Sequence, residues 1–175
     1  MSEQSERDAA ADDADRIGAA VVTITSTLSL EDDVAGDAIV AAFEDAGHGI
    51  TTRELIERNY DNVQAKVSRL IDRGDVDIVV TTGGTGVEPS DATLEAVGPL
   101  IDKDLPAFVD LFHALAYDEI GISVVSSRAL GGIADGVPVF CLPNDRATVR
   151  IACEEIIVPE APRLATLADD ETDEE

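Results

Sequence analysis

Lysine is almost absent from this chain. Lys66 and Lys103 are the only two, and 37 acids oppose 12 bases for a formal net charge of −25. Nucleic acids and anionic membranes are held mainly through Lys and Arg, so a surface this acidic excludes both as partners. Long apolar runs are missing too: none approaches the roughly 20 residues that span a bilayer. The start, "MSEQSERDAAADDAD", has neither the basic beginning nor the apolar core of a signal peptide, which predicts a cytoplasmic protein. Cysteine is scarce. Cys141 and Cys153 lack a CxxC spacing and read as two reduced core thiols. His48 and His113 have no His or Cys partner at metal-ligand spacing and read as structural.

What remains is an ordinary apolar content of 45% in 175 residues, enough for one domain with a real core. Residues 1–15 and 169–175 offer little to bury and read as acidic disordered tails around a single domain at 16–168. The tails do not account for all the charge, because the 25 acids of residues 17–168 still face 10 bases. That surplus predicts an organism with a high-salt cytoplasm, where mobile ions screen self-repulsion.

Between the tails, strand-like and helix-like patterns alternate. "IGAAVVTIT" (17–25) is an apolar β-branched run suited to a strand buried on both faces. "GDAIVAAFEDAG" puts Ile39, Val40 and Phe43 on one helical face and stops at Gly47. A short strand follows at 49–55, then a helix from Asn59 or Asp61 with Val63, Val67, Leu70 and Ile71 at helical spacing. "VDIVVTT" reads as a second buried strand. Leu105, Phe108, Val109, Phe112 and Leu115 mark a further helix, with Pro106 in its first turn. "IGISVVSS" and "GVPVFCL" read as strands, "IADGV" carries an Asp-Gly hairpin turn, and "PND" opens a last helix. This order predicts an α/β domain with a mostly parallel sheet and one antiparallel hairpin. Such sheets bind ligands beyond the carboxyl ends of their strands, where "TTGGTG" falls.

Gly83, Gly84 and Gly86 let backbone amides approach an anionic group or a flat ring. The loop lacks the lysine of GxxxxGK[ST], and Pro89 stands where the third glycine of GxGxxG belongs. It is either a tight turn or a binding loop. Thr81, Thr82, Thr85, Ser90 and Thr93 favour binding, because they supply more hydroxyls than a turn requires. Asp91 either caps the following helix or holds Mg2+. In "EDDVAG", Asp32 and Asp33 either share that ion along the same sheet edge or form a solvated acidic face. Ser126, Ser127 and Arg128 follow an expected strand, with Arg128 either a phosphate fork or a surface arginine. Asn144 or Asp145 stands at a helix N-terminus, whose amides suit a phosphate or a side-chain cap.

Together, "TTGGTGVEPSDATLEA", "YDEIG" before "SSRALGGIADG", and "VFCLP" before a helix resemble the MoaB/Mog family of molybdenum cofactor biosynthesis, the molybdopterin adenylyltransferases, and most closely its MoaB branch. The resemblance covers roughly residues 17–160. It implies a three-layer α/β/α fold with a mostly parallel sheet and a small β-hairpin, assembled as a homotrimer or hexamer. It also implies Mg2+- and ATP-dependent adenylylation of molybdopterin with release of pyrophosphate, or, in a non-catalytic member, a pterin-binding carrier or assembly protein. By this resemblance Gly83, Gly84, Thr85 and Gly86 form the pterin loop, Asp91 matches the acid of GGTGxxxxD, and Asp33 with Gly36 matches an acidic DxxG segment; both acids are expected to be catalytic and to hold Mg2+. Ser127 and Arg128 match the family's Ser-Arg pair, with Ser127 catalytic and Arg128 binding substrate. Pro143 and Asn144 line the last substrate loop. Three places depart from the family pattern, one of them Ala35, where serine is often found. Thr25, Ser26 and Thr27 stand where Ser-Asp-Arg or Ser-Asn-Arg is common, and Pro143, Asn144 and Asp145 replace Pro-Gly-Ser or Pro-Gly-Asn.

Overall fold

Six strands form one mixed sheet in the order β2-β1-β3-β6-β5-β4 in the computed structural model, which describes residues 15–169. The strands are β1 (Gly18–Ile24), β2 (Gly49–Ile56), β3 (Ile78–Thr82), β4 (Lys103–Asp104), β5 (Leu130–Ala134) and β6 (Val137–Leu142). The helices are α1 (Val34–Asp45), α2 (Tyr60–Ile71), α3 (Thr93–Val97), α4 (Pro106–Ile120), α5 (Arg146–Ala152) and α6 (Val158–Ala168). A π-helical segment, Cys153–Ile157, joins the last two. The expected acidic tails lie almost wholly outside the described residues.

The predicted parallel sheet is present: β1 pairs in parallel with β2 and β3, and β3 with β6. Residues alternate between two cores because successive side chains of a strand point to opposite faces. Ala19, Val21, Ile78, Val80, Phe140 and Leu142 pack with Ile39, Phe43, Phe112 and Val149 on one face. On the other, Ala20, Val22, Val79 and Cys141 pack with Val63, Val67, Leu70 and Val97. Helices α1, α4, α5 and α6 thus cover one side and α2 and α3 the other, giving the three-layer α/β/α arrangement. Each fully buried Val, Leu, Ile or Phe stabilises it by about 1.5–3 kcal/mol.

The hairpin joins β5 to β6 through Asp135 and Gly136, with φ of 47° and 80°. Positive φ at both central residues suits the twist of antiparallel strands, and Asp-Gly tolerates it. Cys141 and Cys153 are buried and unbridged; desolvation pushes both thiols up to about 12.

One element corrects the sequence reading. "IGISVVSS" is not a strand: Gly121–Ser126 form a 3-10 segment, with Ile122 and Val125 each 79% exposed. Helix α4 ends at Gly121 with φ +63°, and the chain coils onward. The β5 edge open to another strand is occupied by β4, a two-residue strand too short to leave an apolar pattern.

Candidate functional site

Strands β2 and β3 flank β1 on opposite sides, so the connections leaving their carboxyl ends diverge. A crevice opens at such a switch in chain direction. Here it is a cleft of about 560 Å³ lined from every parallel strand: Ile24 and Thr25 at the end of β1, Arg58 after β2, Gly83 to Gly86 after β3, and Pro143 to Asp145 after β6.

The glycine loop is built by close approach. Gly83 and Gly84 have φ of 98° and 71°, and a Cβ on Gly83 would strike the Ile24 carbonyl oxygen while one on Gly84 would strike Thr93 Oγ1. The Gly83 amide donates to Leu142 O at 2.9 Å, Thr93 N to Gly84 O at 3.0 Å, and Thr93 Oγ1 to Gly83 O at 2.9 Å. These bonds fix the loop through the Gly83 amide and the carbonyls of Gly83 and Gly84. The amides of Gly84, Thr85 and Gly86 donate to no other described residue, so they are the groups that can receive an anion.

Asp91 is not the cap of α3. Ala92 occupies that position without a side-chain bond. The Asp91 carboxylate instead closes its own turn, accepting from Glu88 N at 3.0 Å, and accepts from Arg58 Nη1 at 3.1 Å. Its side chain is 7% exposed and lines the cleft. Gly86 must lack a side chain here, since a Cβ would lie 2.6 Å from Asp91 Oδ2.

Asp33 departs from its expected place. It is fully buried, accepts from Thr23 Oγ1 at 2.6 Å, Gly36 N at 3.0 Å and Arg53 Nη2 at 3.2 Å, and caps α1. Gly36 follows because a Cβ there would collide with the Asp33 carboxylate. With its carboxylate engaged and no surface on the cleft, Asp33 secures the β1–α1 connection in place of the expected magnesium role. Burial works against the charge on Arg53, but hydrogen bonds to Asp37 and Asp33 outweigh it and raise its pKa. Asp32 is exposed and accepts from Ser29 Oγ at 2.9 Å.

Arg128 also differs from expectation. Its Nε donates to Thr85 O at 2.9 Å and Gly86 O at 3.0 Å, and its Nη atoms meet Glu95. It grips the glycine loop by its carbonyls and lines a neighbouring depression with Gly86 and Asp91, not the cleft itself. Ser127 does line it, beside Ser123 and Ser126 of the 3-10 segment. Pro143 is held by Thr82 Oγ1, which donates to its carbonyl at 2.9 Å. Asn144 lines the same wall, and Asp145 caps α5 by accepting from Thr148 N at 3.1 Å.

Sequence reasoning missed Arg58. Its signal was available: a basic residue just beyond a parallel strand falls on the same sheet edge as the glycine loop. Arg58 is the one Lys, Arg or His among the cleft-lining residues, which also include the carboxylates of Asp91, its partner, and Asp145.

An α/β sheet whose switch point carries a glycine loop with uncommitted amides, hydroxyls and a largely buried carboxylate has the form of a small-molecule binding site. Residues 20–163 match the family described as "Probable molybdopterin binding domain". The chain is 37% identical over 141 residues to molybdenum cofactor biosynthesis protein B of Bacillus cereus, covering 80% of this chain and 83% of that protein. A crystal structure of a molybdenum cofactor biosynthesis protein B aligns with TM-score 0.84 at 34% identity, over 87% of this chain and 96% of the other. The tungsten cofactor synthesizing protein MoaB from Pyrococcus furiosus aligns with TM-score 0.78 at 30% identity, over 87% and 97%. The chain therefore belongs to the MoaB/Mog family of molybdopterin-binding proteins, and its role lies in molybdenum cofactor biosynthesis.

Proposed function

We propose that the protein transfers the adenylyl group of ATP to the terminal phosphate of molybdopterin. The observation that carries this reading is the shared cleft: uncommitted amides of Gly84, Thr85 and Gly86, the Asp91 carboxylate beside Gly86, Ser127 and Asn144 all line it. A molybdopterin phosphate oxygen attacks the α-phosphorus, a new P–O bond forms, the bond to the β-phosphate oxygen breaks, and pyrophosphate leaves with the electron pair. The glycine amides and Ser127 hold the pterin phosphate, and the walls of the cleft hold the two reactants in line.

Of the two acids expected to hold magnesium, Asp33 is buried away from the cleft, whereas Asp91 lines it with Oδ1 paired to Arg58 and Oδ2 to Glu88 N. Magnesium is held by one or two carboxylates together with substrate phosphates, and Asp91 is a carboxylate on the cleft wall. Bound with ATP, the ion would offset phosphate repulsion and stabilise the leaving pyrophosphate. Homotrimeric or hexameric assembly belongs to the same reading. The exposed Ile122 and Val125, on the segment that supplies Ser123 and Ser126, give it apolar surface to bury.

A second reading has its own observation. The Asp145 carboxylate lines the cleft and takes an amide of the α5 first turn that would otherwise be offered to a phosphate. This favours a pterin-binding carrier or assembly protein without nucleotide turnover. Incubation with molybdopterin and Mg-ATP separates the two: adenylylated pterin with equimolar pyrophosphate supports the enzyme, and pterin binding without pyrophosphate supports the carrier.

A further inference from the structure

We infer that Arg58 is the phosphate clamp of this cleft, held ready by its ion pair with Asp91. The inference rests on reading the cleft as a phosphate-handling site. The charged groups lining it are Arg58, Asp91 and Asp145, so without Arg58 the lining would be purely acidic. A phosphorylated ligand entering there needs a cation, because amides and hydroxyls alone do not offset two carboxylates.

Of the other arginines near the site, Arg146 follows Asp145 at the start of α5 but does not line the cleft, and two more are committed elsewhere. Arg53 is occupied by Asp33 and Asp37, and Arg128 by the loop carbonyls and Glu95. Arg58 is only partly committed. Its contacts with Asp91 Oδ1 at 3.1 Å and Glu88 Oε2 at 3.6 Å both use Nη1. Its Nε and Nη2 therefore have no partner among the described residues, and together they form the planar two-donor edge that matches a phosphate. The side chain is 28% exposed, enough to meet a ligand while its neighbours limit its rotation.

The pairing gives Arg58 and Asp91 linked duties. While Asp91 accepts from Nη1, it fixes the guanidinium plane; when Asp91 is drawn toward another cation, all of Arg58 turns to the ligand. Arg58 also supplies positive charge to a cleft whose β1 wall, at Thr25 and Thr27, offers only hydroxyls.

The test is calorimetric binding, which does not depend on turnover. Wild type, Arg58→Gln and Arg58→Lys are titrated with molybdopterin, with its dephosphorylated form, and with a non-hydrolysable Mg-ATP analogue, after thermal melts confirm that each variant is folded. Arg58→Gln is expected to lose about tenfold or more in affinity for the phosphorylated ligand, Arg58→Lys to recover part of it, and the dephosphorylated pterin to bind unchanged. A loss confined to molybdopterin places the clamp on the pterin phosphate, and a loss confined to the analogue places it on the nucleotide. Without magnesium, Asp91→Asn is expected to tighten pyrophosphate binding in wild type but not in the Arg58→Gln background. Failure of adenylylation with these losses intact overturns the enzyme reading alone. Unchanged affinity for both phosphorylated ligands, an equal loss for the dephosphorylated pterin, or no binding of either ligand to wild type overturns the clamp.

Discussion

Arg128 Nε sits 2.9 Å from the carbonyl oxygen of Thr85, so the glycine loop is held by a cation that does not itself line the cleft. The second bond, to Gly86 O, fixes the next peptide plane as well, so the Gly86 amide that lines the cleft lies between two anchored carbonyls. Replacing Arg128 by Gln is expected to destabilise the fold by about 1–3 kcal/mol and to weaken molybdopterin binding through a looser loop. Urea unfolding and calorimetry check the two effects separately.

The same arginine makes one contribution to stability pH-dependent. The hydrogen bond from Arg128 holds the Glu95 carboxyl below its ordinary value of 4.5, against an opposing effect of desolvation. Because the folded-state value is depressed, the contribution is present above the ordinary value and is lost as pH falls through the lowered one. Glu95 is half exposed, so the effect is that of a surface ion pair, about 1 kcal/mol at most. Stability of Glu95→Gln measured from pH 6 to pH 3 is expected to fall less steeply than that of wild type.

Asp33 tests the division between structural and ligand-binding acids. Asp33→Ala leaves Arg53 without its buried partner and the first turn of α1 uncapped, which costs about 3–5 kcal/mol by the usual cost of breaking a buried pair. Arg53 retains Asp37 and partial exposure, which places the loss at the low end of that range. Provided the variant is studied below its melting temperature, the magnesium dependence of ligand binding is expected to be unchanged. Asp91→Asn is expected to behave in the opposite way, with near-normal stability and altered magnesium dependence.

Salt should stabilise this protein. Its surface carries a large acidic surplus, and screening of like charges grows as the Debye length falls from about 10 Å at 0.1 M to 3 Å at 1 M. Melting temperature is expected to rise with KCl through the molar range, and a flat or falling series would remove the high-salt assignment.

The centre of the sheet was legible because β1 and β3 are apolar runs buried on both faces, so "GAAVVTI" and "IVVTT" need only local pattern to be recognised. The glycine loop was legible for the same reason: its chemistry lies within a few consecutive residues. Arg58 was not, because its nearness to Asp91 arises from strand order across the sheet and not from spacing along the chain. Arg128 and Asp33 were read as ligand groups because charge type is visible in a sequence and side-chain direction is not. Residues 121–126 misled for another reason. A β-branched apolar run suits a strand only where a sheet edge is available, and here that edge is filled by β4.

The account turns on whether nucleotide and pterin meet in one cleft. ATP labelled in its α-phosphate, incubated with magnesium, molybdopterin and the protein, measures this directly. Transfer of label to the pterin, one pyrophosphate released per label transferred, and loss of both in Asp91→Asn is the result expected. Molybdopterin retained by the protein with no label transferred at any magnesium concentration would contradict the adenylyltransferase and leave the carrier.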